Sequence, residues 1–500
     1  MSPLVLNAQP LSIPDIIAVA RHGRKVTLGD AARSKLSASR AIVEAATRDG
    51  QPHYGINTGF GSLSRQRIND KDLRALQKNL VRSHAAGIGE LLPVETVRAL
   101  LLILAASLSR GHSGVRPLVV EQILSLLNAN ITPAIPSIGS VGASGDLAPL
   151  AHAALVLIGE GEALGRAGTI PGAEALATAG LKPIDLDAKE GLALINGTHL
   201  MAAQAALLCH DFETLFHNAL LATAMSIDGC RATDAFLDPR VYTARNQPGP
   251  AHAAAAIKQH LHGSQIIPAH RENDPRVQDP YSLRCAPTVL GAAWDACGYV
   301  KLAVLHELAA VTDNPLIFLD QPTVVSAGNF HGMPLAIPLD TLAIAISHIA
   351  GIAERRIYFM LAATDPQNPT RAYLSPQPGL HSGLMIAQYT AAAACNEIIG
   401  LCTPASVSNI PTSAGTEDYN SFGPRSAAKA RRALDLARDV IAIELFCAAE
   451  AIEFQRPLQS GADVERAHAA VRALVPRLTA DRPLAPDIAK IAALIREPLA

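Results

Sequence analysis

The chain is 500 residues long, 49% apolar and 17% charged, with a formal net charge of −2. That length allows several domains and a very large core, or a core plus subunit contacts, while the near-neutral balance gives no electrostatic footing for nucleic acid or an anionic membrane. Seven cysteines, odd in number and without a Cys-x-x-Cys pair, make no case for a disulfide framework or a zinc cluster, and fit reduced thiols in the cytoplasm.

In chain order, Leu73, Leu76 and Leu80 fall at i, i+3 and i+7 and predict an amphipathic helix, with His84 one turn on and pointing inward. Ala/Leu-rich stretches predict further helices over 94–109, 200–225, 292–310, 339–362, 385–401 and 426–451. Several are apolar almost all round, as helices in the middle of a bundle are. The most apolar run, 97–108, falls short of the roughly 20 residues that span a bilayer, and no basic segment with an apolar signal core opens the chain. The basic run 425–438, with Lys429, Arg431 and Arg432 near Asp435 and Asp439, reads as a solvated helix face. Strand signals are sparse, with 323–326 a hairpin piece at most. Pro/Gly-rich segments at 55–61, 133–145, 163–172, 273–287, 328–334 and 376–383 punctuate the helices. The expected fold is mainly α: a loop-rich N-terminal domain over 1–195, then a long central helical bundle over 196–500.

The segment Ser140-Val141-Gly142-Ala143-Ser144-Gly145-Asp146-Leu147-Ala148-Pro149-Leu150 carries the chemistry. Its glycines lack the Gly-Lys-Ser/Thr of a phosphate loop, and Gly-x-Ser-Gly-Asp fails the spacing of a hydrolase nucleophile elbow. Two readings stay open on residue types alone. One is a structural turn. The other is cyclisation, because a glycine at position 145 lets its amide nitrogen reach the Ala143 carbonyl. Loss of water from that ring and from Ser144 leaves a conjugated methylene, an electrophile that ordinary side chains cannot supply.

Gly-Ala-Ser-Gly-Asp-Leu-x-Pro-Leu resembles the prosthetic-group signature of the histidine/phenylalanine/tyrosine ammonia-lyase family, also called aromatic amino acid lyases. The resemblance covers essentially the whole chain and is nearest the histidine type. It implies 4-methylidene-imidazol-5-one formed autocatalytically from Ala143, Ser144 and Gly145, with no external cofactor or metal. It also implies a bundle-packed homotetramer whose active sites are each built from three chains. Residue by residue, it makes Tyr54 the β-proton base on a mobile lid, and Arg284 the clamp on the substrate carboxylate. Gln278 and Tyr281 line the site, with Tyr281 assisting at the amine or the electrophile. Asn196 stands beside the prosthetic group, Phe330 packs on it, and Asp146 aids ring formation. A phenol titrates near 10 when free, so a base role requires stabilisation of its ionised form.

The side-chain pocket follows the histidine pattern at Ser83-His84 and at Glu417, with Met385 as a wall. A carboxylate beside an imidazole suits a substrate imidazole with one donor and one acceptor. Six positions depart from the histidine type: His199, Ala286, Thr288, His381, Gly415 and Thr416. The expected reaction is elimination of ammonia from L-histidine to give trans-urocanate. Alternatives are a lyase or aminomutase acting on tyrosine, phenylalanine or a modified histidine such as ergothioneine, and a non-catalytic helical scaffold. His306-Glu307 lacks the second histidine of a zinc helix, and Gly159-Glu160-Gly161-Glu162 would set two carboxylates against a phosphate.

Overall fold

The apolar runs fold as helices, and the computed structural model, which describes residues 2–272 and 274–499, is mainly α. Eighteen helices are joined by loops and four two-stranded sheets among the described residues. Contacts divide the chain into two units: Met1–Leu207, Val300–Leu339 and Pro404–Ala428 form the first, and Leu208–Tyr299, Asp340–Thr403 and Lys429–Ala500 the second.

In the first unit, helix Ile13–Ala20 starts at a capping box, in which Asp15 N–H donates to Ser12 Oγ while Asp15 Oδ2 accepts from Ser12 N–H. Helix Val94–Ser109 buries fourteen of its sixteen residues, as its all-round apolar pattern requires. Helix Leu73–His84 buries Leu73 and Leu80, but its third inward position is Gln77, with Leu76 only half-buried. Gln77 is tolerated there because its Oε1 accepts from Leu192 N–H. The hairpin piece near 323 is real: Leu316–Phe318 pairs antiparallel with Thr323–Val325.

The second unit contains the buried ion pair Arg356–Glu444, at 2.5 Å, with Ser226 Oγ also donating to Glu444. Three sequence expectations need correction. Helix Met333–Ala362 begins ahead of the expected 339 and carries Pro338 inside it, and helix Ala286–Glu307 begins ahead of 292 with Pro287 in its first turn. Pro287 removes no intrahelical bond, whereas Pro338, six residues into its helix, forgoes the one an amide there would donate to the Pro334 carbonyl. Lys429 is not on a solvated face. It is 5% exposed and donates to Asp340 Oδ1 at 3.3 Å and to the Thr403 carbonyl, while Arg431 and Arg432 pair with Asp211 and Glu397. Finally, the short run 97–108 does not stand for the other apolar helices. Ala286–Glu307 and Met333–Ala362 are each long and apolar enough to cross a membrane by length and composition. Most of the apolar window of Met333–Ala362 is buried within the chain, 61%, against 33% for Ala286–Glu307; the first therefore serves as core, and the second leaves apolar surface to be covered.

Candidate active site

The Ser144 loop is gripped along its backbone. The Val141 carbonyl accepts from Phe422 N–H at 2.9 Å. The Gly142 carbonyl accepts from Gly332 N–H at 3.0 Å and from Ser421 Oγ at 2.9 Å. Gly145 has φ +70°, and a Cβ there would stand 2.2 Å from the Gly197 carbonyl, so no other residue fits. Gly145 and Gly197 form a parallel bridge, and Asp146 N–H donates to the Gly197 carbonyl at 2.7 Å. Asn196 Nδ2 donates to the Ser144 carbonyl at 2.8 Å, while its Oδ1 accepts from Asn314 N–H at 2.7 Å. Asn314 follows Asp313, which is itself fixed by Lys189 and Ser113 in the buried interior.

Asp146 is fully buried. Its carboxylate accepts from Leu200 N–H, Met201 N–H and Ser140 Oγ, the first two being opening amides of helix His199–Gly229, where a negative charge is favoured. Burial still outweighs these donors and pushes Asp146 up to about 7. The residues thus suit the ring expected from Ala143, Ser144 and Gly145: a glycine where backbone meets backbone, a held Ser144 carbonyl, and a buried carboxyl beside it.

Tyr54 precedes Gly55, at φ +73°, against which Leu192 packs. The Tyr54 Oη accepts from Gly61 N–H at 3.4 Å. Burial raises the phenol above its ordinary value; the Gly61 amide opposes that, and the Glu417 charge adds to it. Glu417 also acts on His84, a half-buried imidazole lowered by burial whose Nδ1 faces the Leu80 carbonyl at 2.9 Å. That contact makes Nδ1 the protonated nitrogen of the neutral ring and leaves Nε2 as an acceptor. Tyr54, His84 and Glu417 therefore share one electrostatic neighbourhood in the first unit. Phe330 is half-buried and lies two residues before Gly332, whose N–H holds the Ser144 loop.

Gln278, Tyr281, Arg284 and Met385 lie in the second unit. Arg284 Nε donates to the Asp279 carbonyl at 2.9 Å and Nη2 to Gln278 Oε1 at 2.8 Å, with the guanidinium 4.5 Å over the Tyr281 ring. These bonds use the Nε–Nη2 edge of the fork. Asp279 is fixed by Thr233, whose N–H and hydroxyl both donate to Oδ2. Arg276 braces the loop by donating to Asp274, to Asp365 and to the Arg231 carbonyl. Met385 opens a separate segment, helix Met385–Leu401, after Asp481 has capped Ser382 N–H and Gly383 N–H.

A profile of aromatic amino acid lyases matches residues 11–473. The chain belongs to the aromatic amino acid lyase family. This carbon–nitrogen lyase is 46% identical over 505 residues to histidine ammonia-lyase of Anaeromyxobacter sp. (strain K), covering 99% of each chain. Its fold is similar to that of histidine ammonia-lyase from Trypanosoma cruzi, at 37% identity and TM-score 0.91 over 99% of this chain and 93% of that one. It is also similar to tyrosine aminomutase from Streptomyces globisporus, at 33% identity and TM-score 0.93 over 99% and 97%.

Among the six departures of this lyase, Thr288, Gly415 and Thr416 are exposed, Ala286 is buried, and His381 is half-buried beside Asp481. His199 is fully buried behind Gly197, where a Cβ would stand 2.5 Å from its Cε1. Burial, with the Arg110 guanidinium, pushes its imidazole down to about 3, and neither ring nitrogen has a hydrogen-bond partner among the described residues. Sequence reasoning missed Gly61, Gly197, Asn314 and Arg276. The Tyr-Gly-x-x-x-Gly-x-Gly spacing flagged Gly61 as part of a turn; nothing local marked Gly197 or Asn314 as partners of residues about 50 and 120 positions away.

Proposed function

We propose that this lyase removes ammonia from L-histidine to give trans-urocanate, using 4-methylidene-imidazol-5-one formed from Ala143, Ser144 and Gly145 and no external cofactor. The observation that carries the substrate assignment is the half-buried His84 imidazole, its Nδ1 fixed on the Leu80 carbonyl and its ring in the field of Glu417, a donor–acceptor set for a substrate imidazole. Likeness to two histidine ammonia-lyases supports it. The ring supplies a conjugated electrophile that makes the amine easier to remove.

The remaining work falls to ordinary side chains. Tyr54 takes the β-proton, and Gly61 N–H stabilises the phenolate that can do so. Arg284 meets the substrate carboxylate with the Nη1 end of its fork, since its other edge is held by Asp279 and Gln278. Asn196 orients the prosthetic loop through the Ser144 carbonyl, Tyr281 assists at the amine, Phe330 packs against the ring, and Met385 walls the side-chain pocket.

The assembly in this reading is a homotetramer with shared active sites. Tyr299, Leu302, Tyr358, Ile386, Tyr389 and Ile399 are exposed on long helices, apolar side chains that subunit contacts would cover. A cavity of about 600 Å³ lined by Tyr281, His348, Arg355 and Phe359 adds to it. The seven free cysteines fit a reducing, cytoplasmic setting.

The likeness to a tyrosine aminomutase gives the second reading, and one assay separates the two. Purified protein is followed by ultraviolet absorbance with L-histidine, L-tyrosine and L-phenylalanine in turn, with amino-acid analysis of each mixture. Growth of the urocanate band is expected. A cinnamate or coumarate band without urocanate, or a β-amino acid as main product, would overturn the assignment.

A further inference from the structure

Glu417 and Tyr54 are joined by a turn that neither role requires. Thr412 and Glu417 pair antiparallel, Thr412 N–H donating to the Glu417 carbonyl at 2.8 Å and Glu417 N–H to the Thr412 carbonyl at 3.3 Å. Between them Ser413, Ala414 and Gly415 have φ of +51°, +53° and +81°. Two consecutive non-glycine residues in the left-handed region persist only where surroundings hold them there. The surroundings here include the Gly61–Leu63 turn, which touches Ser413–Gly415. Gly61 itself has φ +52°, and a Cβ on it would stand 2.9 Å from Ser413 Oγ. The same Gly61 presents its N–H to Tyr54 Oη.

We propose that Ser413 is a positioning residue for the Tyr54 base: its side chain seats the Gly61 turn, keeps Gly61 N–H on the phenol oxygen, and ties the loop carrying the base to the turn carrying Glu417. The proposal rests on Tyr54 as base and Glu417 as reader of the substrate ring. Its consequence is that recognition and base strength are coupled. Three influences act on the Tyr54 phenol: burial and, less strongly, the Glu417 carboxylate disfavour the phenolate, and the Gly61 amide favours it. A substrate imidazole donating to Glu417 offsets that negative charge, leaving the Gly61 amide opposed by burial alone. A phenyl ring cannot, so it meets a weaker population of ionised base, and discrimination appears in kcat as well as KM.

The other charged groups around Tyr54 are engaged elsewhere. His53 pairs with Asp49 at 2.7 Å, Arg67 donates to the Gly50 carbonyl, and Glu190, on the helix packed against Gly55, is bound by Arg116. His84 lies in the field of Glu417.

The test is the pH dependence of kcat/KM for L-histidine in the wild type, Ser413→Ala, Ser413→Cys, Glu417→Gln and Tyr54→Phe. Each protein is first checked for a 143–145 peptide lighter by two waters. Loss of the Ser413 side chain loosens Gly61, so the acidic limb of Ser413→Ala is expected to move up by about half a pH unit, roughly threefold in activity on that limb. KM should stay within about twofold, and Ser413→Cys should restore the profile. Glu417→Gln should move the same limb down in pH, because it removes the opposing charge. A Ser413→Ala profile that superimposes on wild type, with only stability or yield reduced, would overturn the proposal. Retained turnover in Tyr54→Phe would instead overturn the base assignment, and the two failures are read from different variants.

Discussion

In the first unit the Ser144 loop is held by backbone at contact distance, with the neutral side chains of Ser421 and Asn196 added, whereas in the second unit the 274–284 loop is held by guanidinium and carboxylate groups. Gly145 against Gly197 leaves no room for a single methyl group, and the Gly142 carbonyl already accepts from two donors. Around Arg284 the same task is shared among Arg276, Asp274, Asp279, Thr233 and Gln278. Backbone contact has no slack, so a change there succeeds or fails outright. A charge network relaxes, so its losses are graded. In the proposed function one loop brings an amide nitrogen onto a carbonyl carbon, which needs the first kind of support, and the other only presents a guanidinium, which tolerates the second.

The largest effect should come from Gly145→Ala. The added methyl collides with Gly197 and the φ of +70° is strained for alanine, so the 143–145 peptide should keep its full mass and turnover should drop to background. Peptide mass spectrometry beside the ultraviolet assay checks this, and a peptide lighter by two waters would show that the contact has slack after all. Next, Asn196→Ala removes the donor on the Ser144 carbonyl and the acceptor for Asn314 N–H. A loss of about a hundredfold in kcat is expected, in the range for one positioned donor, with the ring still formed. A change in KM alone would mean that Asn196 only binds substrate.

Arg276→Ala tests the graded side of the comparison. Without it the 274–284 loop loses its anchors at Asp365 and the Arg231 carbonyl, and Arg284 presents its fork less often. KM for histidine should rise about tenfold with kcat nearly unchanged, as for loss of uniform binding, and Arg276→Lys should recover part of it. A collapse of kcat would place this loop with the Ser144 loop, among supports without slack.

The same contrast explains what the sequence shows and hides. Helix 94–109 is legible because burial on all sides demands an unbroken apolar run; helix 385–401 shows the same run although only Ala387, Ala391 and Ile398 of it are buried within the chain. The Ser144 segment is legible because its glycine after serine, at φ +70° against the Gly197 backbone, is one that no other residue could replace. Lys429 misleads because a cation whose partners are Asp340 and the Thr403 carbonyl looks locally like any surface lysine. Gln77 misleads because the amide of Leu192, over 100 residues on, makes a polar inward position acceptable. Gly197 and Arg276 are invisible for a related reason: what makes each matter is a partner distant in the chain, and neither apolar period nor turn composition encodes one.

The smallest effect sharpens the comparison through two buried acids. Asp146 in the first unit and Asp228 in the second are both pushed up to about 7 by burial, yet their surroundings differ. Asp146 satisfies two backbone amides and a serine hydroxyl, whereas Asp228 accepts from Ser264 Oγ through Oδ1 and its Oδ2 has no partner among the described residues. A carboxyl raised from 3.8 to about 7 on folding contributes stability that is intact below about 4 and is lost as pH climbs through 7. Asp228→Asn should therefore raise the thermal midpoint slightly at pH 5 and by about one to two degrees more at pH 8, since the amide keeps the Ser264 contact and carries no charge. Asp146→Asn should lower it at both values, because an amide nitrogen cannot replace a carboxylate oxygen as acceptor. Thermal scans of both variants across pH 5 to 8 decide it. Parallel curves for Asp228→Asn and wild type would mean that its charge is met by water, and that the second unit relaxes around a buried charge as readily as it does around its arginines.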